Sequence, residues 1–184
     1  WEDSTVVGLL SRLPDLRQGF GYRMNADFYE AARRQLHRMI VYQSPTWAQL
    51  PVDALLGLVD GVNLCDNFFS LTAQPGPAGD PYSPAGEIWR SYYRLLNAGL
   101  RLPASGGSAY PRGGGGGPAG MSRFYVHTGG SAGPDAYFAA WRAGRTFATN
   151  GPLLLAGVDG AGPGETPPAG ENARLTVRVV SNRP

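Results

Sequence analysis

The alternation of helical and strand-like segments over residues 87–159 constrains the fold more than any other feature of this sequence. A helical pattern begins at Glu87, and a short strand with a glycine-rich loop follows it around Pro103. A second strand then covers residues 124–127, and a second helix covers residues 134–143. Chains that alternate in this way form parallel α/β sheets or barrels, which bind ligands at the carboxyl ends of their strands. We therefore expect a site at the loop after Pro103.

The segments before residue 87 continue this alternation, whereas the pattern changes after residue 152. The predicted elements before residue 87 are a helix over residues 26–37 capped by Asn25, a strand over 39–42, a short helix from Pro51 and a strand over 59–65. From residue 153, apolar runs with period-two alternation surround a Gly/Pro-rich turn, which is typical of antiparallel strands. The sequence predicts an α/β fold followed by the first strands of a β-sandwich.

Composition excludes several classes of function. All 16 basic residues are Arg, so the stretch offers no Schiff-base or P-loop lysine. The net charge is only +2 and the Arg residues are scattered, so no nucleic-acid partner is expected. The single cysteine, Cys65, excludes an internal disulfide and a multi-cysteine zinc site. No run approaches the ~18 apolar residues of a membrane span, and the first residues lack a signal-peptide pattern. Because no Met starts the chain, we expect a longer protein.

Three blocks resemble a known family. They read Tyr92-Tyr-Arg-Leu-Leu-Asn-Ala-Gly-Leu-Arg-Leu-Pro-Ala-Ser-Gly-Gly-Ser, Arg123-Phe-Tyr-Val-His and Gly144-Arg-Thr-Phe-Ala-Thr-Asn-Gly-Pro. Over roughly residues 35–165 the chain resembles the C-terminal half of CehA/McbA-type metallohydrolases, in the PHP (polymerase and histidinol phosphatase) superfamily. The resemblance implies a distorted β/α barrel with two or three divalent metals at its strand ends, and hydrolysis of phosphoesters or carbamate esters. Residues 1–152 are then expected to be the C-terminal part of a PHP-like barrel, and residues 153–184 the start of a β-sandwich-like extension.

Three positions at which this family carries metal ligands hold other residues. In the run that matches the family's Gly-Ser-Asp-x-His loop, Ala109 and Pro111 replace the ligands. Gln43 stands in place of a His, and Asn63 stands in place of a Glu. A metal that lowers the pKa of bound water from ~16 toward ~7 is held by imidazoles and carboxylates. A Zn, Mn or Fe site is therefore expected only if an upstream segment with a His-x-His pair supplies the ligands.

Polar residues at the predicted strand ends form the candidate site. They are Gln43, Asn63, Asp66, Asn67, Ser108 and His127. Each also has a structural interpretation: Asp66 and Asn67 suit a turn in which they bond their own backbone, and a lone His is a weak signal of function. No residue is assigned a catalytic role.

Two functions remain open. The first is a metal-dependent hydrolase of PHP type that acts on a phosphate or carbamate ester. The second is a non-catalytic module whose pocket, lined by Gln43, Asn63 and Ser108, binds a small-molecule ester or a carbohydrate.

Overall fold

A computed structural model describes residues 4–7, 25–34, 39–66, 84–108, 119–168, 170 and 172–181. The elements in chain order are β1 (Ser4–Val7), α1 (Asn25–Arg34), β2 (Met39–Tyr42), α2 (Leu50–Leu55), β3 (Gly61–Asp66), α3 (Pro84–Asn97), β4 (Ala104–Gly107), β5 (Arg123–Val126), α4 (Pro134–Arg142), β6 (Thr146–Thr149), β7 (Leu153–Val158) and β8 (Leu175–Val180). The chain divides into two compact units, Trp1–Leu64 with Pro75–Leu102 and Cys65–Gln74 with Pro103–Pro184.

The core of the first unit surrounds β2. All four residues of this strand are buried, as expected for an apolar run that is covered on both faces. Strand β1 pairs with β2 in the antiparallel direction, and β3 pairs with β2 in the parallel direction. On α1, Tyr29 and Ala32 are fully buried three residues apart, and the Tyr29 ring packs edge-on against Tyr42 at 6.1 Å.

Asp60 ties three elements of the first unit together at the amino ends of β2 and β3. Its Oδ2 accepts a hydrogen bond of 2.8 Å from the backbone N–H of Ile40. Its Oδ1 accepts one of 3.1 Å from the guanidinium of Arg33 on α1. The Asp60 backbone N–H donates to the Ile40 carbonyl at 2.8 Å. The charged side chains of Arg33 and Asp60 therefore lie at the amino ends of β2 and β3.

The second unit contains an antiparallel pair, β5 and β6, that is covered by α4. The pairing runs from Arg123 opposite Thr149 to Val126 opposite Thr146. On the covered face, the Phe124 ring lies 4.7 Å from the ring of Trp141, which is buried on α4. The His127 backbone N–H donates to the Arg145 carbonyl at 2.8 Å, so residues 127–145, including α4, form an excursion between two paired strands.

Strands β7 and β8 form a two-stranded antiparallel ribbon in the second unit. Its six residue pairs run from Leu153 opposite Val180 to Val158 opposite Leu175. Because side chains alternate between faces, one ribbon face is entirely apolar. This apolar ribbon face consists of Leu154, Ala156, Val158, Leu175, Val177 and Val179. Four of these side chains are large and exposed, so the described residues leave this face largely uncovered.

The structure confirms several predicted elements and corrects others. The strand over residues 39–42 and the helices that begin at Asn25 and Pro134 are confirmed. The loop expected after Pro103 is instead strand β4. Parallel pairing was expected for the strands of residues 87–152, but β5 and β6 are antiparallel, with the His127 N–H bonded to the Arg145 carbonyl where the chain leaves and rejoins the pair.

The α/β class is confirmed at the level of mixed helices and strands. The described strands form sheets of four, two and two, with the order β1-β2-β3-β4 in the largest, and do not close into a barrel. Strand β3 passes from the first unit to the second at Cys65. The division into residues 1–152 and 153–184 stays a prediction; β7 and β8 share their compact unit with β4, β5 and β6.

Candidate functional site

Gln43 directly follows β2, and Asn63 lies inside β3, the strand that pairs with β2 in the parallel direction. The β2–β3 register pairs Val41 with Gly61 and Tyr42 with Val62. Gln43 and Asn63 each come one position after the last pair of this register. Both residues are half-buried. Two of the residues that sequence analysis selected therefore lie on neighbouring segments of the chain, and their role in binding stays a prediction.

Asn63 carries a buried polar atom that lacks a partner. Its Oδ1 is closed to solvent and accepts no hydrogen bond from the described part of the chain. Buried acceptors are usually paired with protein or with an ordered molecule, and Asn63 Oδ1 is one of several buried side-chain atoms without a partner in the described part of the chain. The indole Nε1 of Trp47, in the loop that leaves the carboxyl end of β2, is also buried without a partner among the described residues.

The loop over residues 43–49 is held by short polar contacts. The hydroxyls of Ser44 and Thr46 are 2.9 Å apart, and the Thr46 backbone N–H donates to Ser44 Oγ at 3.3 Å. The carbonyl of Trp47 accepts a hydrogen bond of 3.1 Å from the Leu50 N–H, where α2 begins. Ser44 is buried, whereas Thr46 and Gln49 are exposed. The loop therefore has a fixed inner side and a solvent-facing outer side.

A buried carboxyl group lies behind this loop, and sequence analysis did not select it. The Tyr42 hydroxyl donates a hydrogen bond of 3.1 Å to Oδ2 of Asp53 on α2, and both residues are buried. Burial raises the pKa of Asp53 above its usual value of 3.8, and the hydrogen bond from Tyr42 partly opposes the rise. An Asp in the first turn of a helix is also what the helix dipole favours, so nothing in the local sequence distinguished it.

The other predicted site residues belong to the second unit. Ser108 follows β4 and its Oγ accepts a hydrogen bond of 3.1 Å from the Gly120 N–H, which gives it a structural contact. His127 follows β5 and is exposed. Asp66 is the last residue of β3, and its side chain lies outside the described part, as does the whole of Asn67. Their roles in binding stay predictions.

Residues 144–152, the third block that resembles the family, make structural contacts. Arg123 donates 2.7 Å and 3.0 Å hydrogen bonds to the carbonyls of Gly151 and Gly120, and so joins two turns. Thr149 Oγ1 accepts from the Gly151 N–H at 3.0 Å and donates to the Pro152 carbonyl at 3.1 Å. These contacts form the turn between β6 and β7, which contains the sequence Asn150-Gly-Pro.

Gln43 and Asn63 do not supply the ligands of a dinuclear metal centre, because their amides bring no negative charge to a cation. Asp66, the last residue of β3, does carry a carboxyl group, and its side chain lies outside the described part of the chain. Over the described ranges, His, Cys, Asp and Glu side chains do not gather in a group of three that could hold a metal ion. Within the same ranges, no helix has the length and hydropathy needed to cross a lipid bilayer.

Comparisons of the chain with protein-family models, with curated proteins and with solved structures find no match.

Proposed function

We propose that this chain is a module of PHP type that binds a small polar molecule near Gln43, which follows β2, and Asn63, on the parallel neighbour β3, without hydrolysing it. One observation carries the proposal: Gln43 and Asn63 each come one position after the paired residues Tyr42 and Val62, and the buried Oδ1 of Asn63 lacks a donor among the described residues. A buried acceptor without a partner costs ~1–3 kcal/mol. A ligand that donates a hydrogen bond to this oxygen recovers that free energy.

The chemistry of amide side chains supports recognition rather than hydrolysis. Each amide offers both donors and acceptors of hydrogen bonds, but it carries no charge for a divalent cation and does not take up a proton near neutral pH. The family resemblance puts metal ligands at the positions of Gln43 and Asn63. With amides in place of an imidazole and a carboxylate, these two positions can form hydrogen bonds that orient the polar groups of a ligand. They no longer supply ligands for a metal that activates water.

A metal-dependent hydrolase of the same superfamily is the second candidate. The β2-α2-β3 unit favours it, because two parallel strands joined through a helix are the repeating element of β/α barrels. The ligands for Zn, Mn or Fe then have to come from outside the described residues. This candidate shares the resemblance with the first and differs from it in requiring a bound metal for activity.

Metal content and ester hydrolysis separate the two candidates. The purified protein is assayed with p-nitrophenyl phosphate and with a p-nitrophenyl carbamate, before and after chelation and after addition of Zn²⁺ or Mn²⁺. We expect no stoichiometric metal and no hydrolysis that chelation abolishes. Hydrolysis that is lost on chelation and restored by Mn²⁺ would show that the second candidate is correct.

A binding measurement tests the proposed site directly. Ligand-observed NMR with a panel of small neutral esters, carbamates and methyl glycosides is carried out on the protein and on Asn63→Leu, which keeps the approximate size of the side chain. Asn97→Leu, at the exposed end of α3, is the matched control. We expect the binding signal to be lost in Asn63→Leu and kept in Asn97→Leu. Equal binding by both variants would place the ligand elsewhere.

A further inference from the structure

The β5–β6 pair has an outer face, which is the face opposite the one that packs on α4. Side chains alternate between the two faces of a strand, so every second residue of β5 and β6 belongs to this face. The His127 N–H bond to the Arg145 carbonyl continues the register of the pair by one position. The outer ladder, as we call this face, consists of Arg123 opposite Thr149, Tyr125 opposite Phe147 and His127 opposite Arg145.

The elements that cover the β5–β6 pair lie on its other face. There the Phe124 ring is 4.7 Å from the ring of Trp141 on α4, and Thr146 Oγ1 donates a hydrogen bond of 2.8 Å to the carbonyl of Ala104 on β4. Tyr125, at the centre of the outer ladder, is 40% exposed. The outer ladder is therefore a surface on the side away from α4 and β4.

The middle of the outer ladder is aromatic. The rings of Tyr125 and Phe147 stack on each other, with their centroids 5.1 Å apart and an angle of 12° between their planes. Arg123 Nε donates to the Tyr125 hydroxyl at 3.1 Å, and the guanidinium lies 6.0 Å from the Tyr125 centroid. One face of each ring is thus already covered, so this pair offers its aromatic edges, which carry partial positive charge, and less of the flat surface on which a nucleic-acid base stacks.

Cationic groups lie at both ends of the aromatic pair, and none of the six ladder residues is Asp or Glu. Arg145 is exposed, and its guanidinium forms no hydrogen bond or ion pair with another described residue. Arg123, at the other end, donates to backbone carbonyls and not to a carboxylate, so its charge is not neutralised. Glu165, in a turn next to Arg145, uses its carboxylate to accept a 2.9 Å hydrogen bond from the Gly162 N–H. The outer ladder therefore complements an anionic partner.

We infer that the outer ladder binds an acidic, extended peptide segment of a partner protein. This interaction is separate from the proposed binding of a small molecule near Asn63. The ladder covers residues 123–127 of β5, about 13 Å of extended chain. An extended peptide of that length directs its first, third and fifth side chains at the ladder.

The order of groups along the ladder defines the sequence of the bound segment. A carboxylate at one end meets Arg145, which can hold it through two parallel N–H···O bonds, and the imidazole of His127 beside it offers a further donor. A carboxylate at the other end meets the charge of Arg123. An apolar side chain between them contacts the aromatic pair. The partner segment therefore has the pattern acidic-x-apolar-x-acidic.

Fluorescence anisotropy with a labelled peptide tests this inference. The probe is Gly-Ser-Glu-Ser-Leu-Ser-Glu-Ser-Gly, and its counterpart has Gln in place of both Glu residues. We expect the Glu peptide to bind in a saturable manner and the Gln peptide to bind at least about tenfold more weakly, because it lacks charge-assisted hydrogen bonds. Binding of the Glu peptide should also weaken as NaCl rises from about 0.05 M to about 0.5 M, since exposed charges are screened by salt.

Variants show whether the ladder makes the contacts. Arg145→Gln removes an exposed guanidinium, so it should leave the thermal unfolding midpoint unchanged while weakening binding of the Glu peptide about tenfold. Arg178→Gln makes the same change at an exposed position of β8, in a different sheet of the same unit, and is the matched control expected to bind normally. In ¹⁵N–¹H NMR spectra, the Glu peptide should shift the amide signals of Tyr125 and Phe147.

The contrary outcomes are distinct. Equal binding of the Glu and Gln peptides, or no binding of the Glu peptide, would overturn the inference. An equal loss of binding in Arg145→Gln and Arg178→Gln would show that net charge, and not the ladder, attracts the peptide. If single-stranded oligo(dT) of about ten nucleotides binds more tightly than the Glu peptide and loses affinity in Arg145→Gln, the surface is a nucleic-acid site and the inference is wrong. None of these results decides the small-molecule test with Asn63→Leu.

Discussion

The hydroxyl of Tyr42 donates a 3.1 Å hydrogen bond to the carboxylate of Asp53 in the interior of the first unit. Tyr42 is 1% exposed and Asp53 is 4% exposed, so an ionisable group is enclosed next to the last residue of β2. The two residues are 11 positions apart, one on β2 and the other on α2. This bond therefore links the start of the loop over residues 43–49 to the helix that follows it.

The first prediction concerns the pH dependence of stability. Burial raises the pKa of Asp53 in the folded protein above its usual value of 3.8, so the folded state binds this proton more tightly than the unfolded state. The stabilisation from Asp53 is therefore complete below pH 3.8 and is lost as the pH rises through the raised pKa. Asn at position 53 keeps an acceptor for Tyr42 but has no proton to lose. We expect Asp53→Asn to gain stability, relative to the unmodified protein, as the pH rises from 3 to 7.

Urea unfolding at several pH values measures this difference. Tyr42→Phe serves as a second variant, because it leaves the Asp53 carboxylate without its donor and is expected to cost ~1–3 kcal/mol near neutral pH. Tyr93→Phe, which alters an exposed ring on α3, is the control. A stability difference between the unmodified protein and Asp53→Asn that does not change with pH would show that the carboxyl group is not buried in solution.

The second prediction compares two neighbouring glycines of β4. A Cβ atom on Gly106 would lie 2.8 Å from the carbonyl oxygen of Arg123 and 3.2 Å from that of Cys65, and both are backbone atoms that cannot move aside cheaply. A Cβ on Gly107 would have open space around it. We expect Gly106→Ala to destabilise the second unit by ~1–3 kcal/mol, and Gly107→Ala to change stability by less than ~1 kcal/mol.

Amide hydrogen exchange of β5 and β6 is the appropriate measurement, since it reports on the second unit. The contrast between the two variants matters more than either value, because they share the same strand and the same chemical change. Similar exchange rates in Gly106→Ala and Gly107→Ala would contradict the close approach of β4 to Arg123.

The third prediction concerns a contact that glycine alone permits between two turns. Gly164 has a φ of 81°, and a Cβ there would lie 2.6 Å from the carbonyl carbon of Gly144 and 2.8 Å from the backbone nitrogen of Arg145. Gly160 has a similar φ of 85° and open space around it. An Ala in this conformation costs ~1–2 kcal/mol, and the clash adds ~1–3 kcal/mol.

We therefore expect Gly164→Ala to lower the unfolding midpoint clearly more than Gly160→Ala does. Thermal unfolding followed by circular dichroism compares the two variants, with exchange of the β6 amides as a local readout. If Gly160→Ala is the more damaging change, the turn over residues 162–165 does not pack on the end of α4.

The fourth prediction uses the apolar ribbon face. Val177 on this face is 50% exposed, whereas Val62 on β3 is fully buried. Replacing Val by Thr exchanges a methyl group for a hydroxyl of nearly equal size. We expect Val62→Thr to cost ~1–3 kcal/mol, because a hydroxyl is taken from water into the core, and Val177→Thr to change stability by less than ~0.5 kcal/mol.

Chemical denaturation of the two variants provides the measurement. Binding of a fluorescent hydrophobic dye supplies a second readout, which should fall in Val177→Thr because the exposed apolar area shrinks. A large loss of stability in Val177→Thr would mean that the ribbon face is covered in solution.

Part of the candidate site was predictable from the sequence. The apolar run of β2 and the later run of β3 predicted two strands of one sheet, with Gln43 directly after the first and Asn63 on the second. The unpaired Oδ1 of Asn63 and the buried carboxyl of Asp53 were not predictable, because both depend on which atoms the fold encloses. In the local sequence Asp53 is an ordinary acidic residue in the first turn of a helix.

The amino-acid sequence by itself determined the local elements: the buried strand Met39–Tyr42, and the helices that end before Gly99 and Gly144, both of which have positive φ. These features depend on a residue and its near neighbours, through hydrogen bonds within a turn and the pattern of apolar side chains. Only the tertiary structure decided that β5 and β6 run antiparallel and that Gly106 lies against Arg123. Those outcomes depend on contacts between residues far apart in the chain. The conformational propensity of a residue and its near neighbours does not determine such contacts.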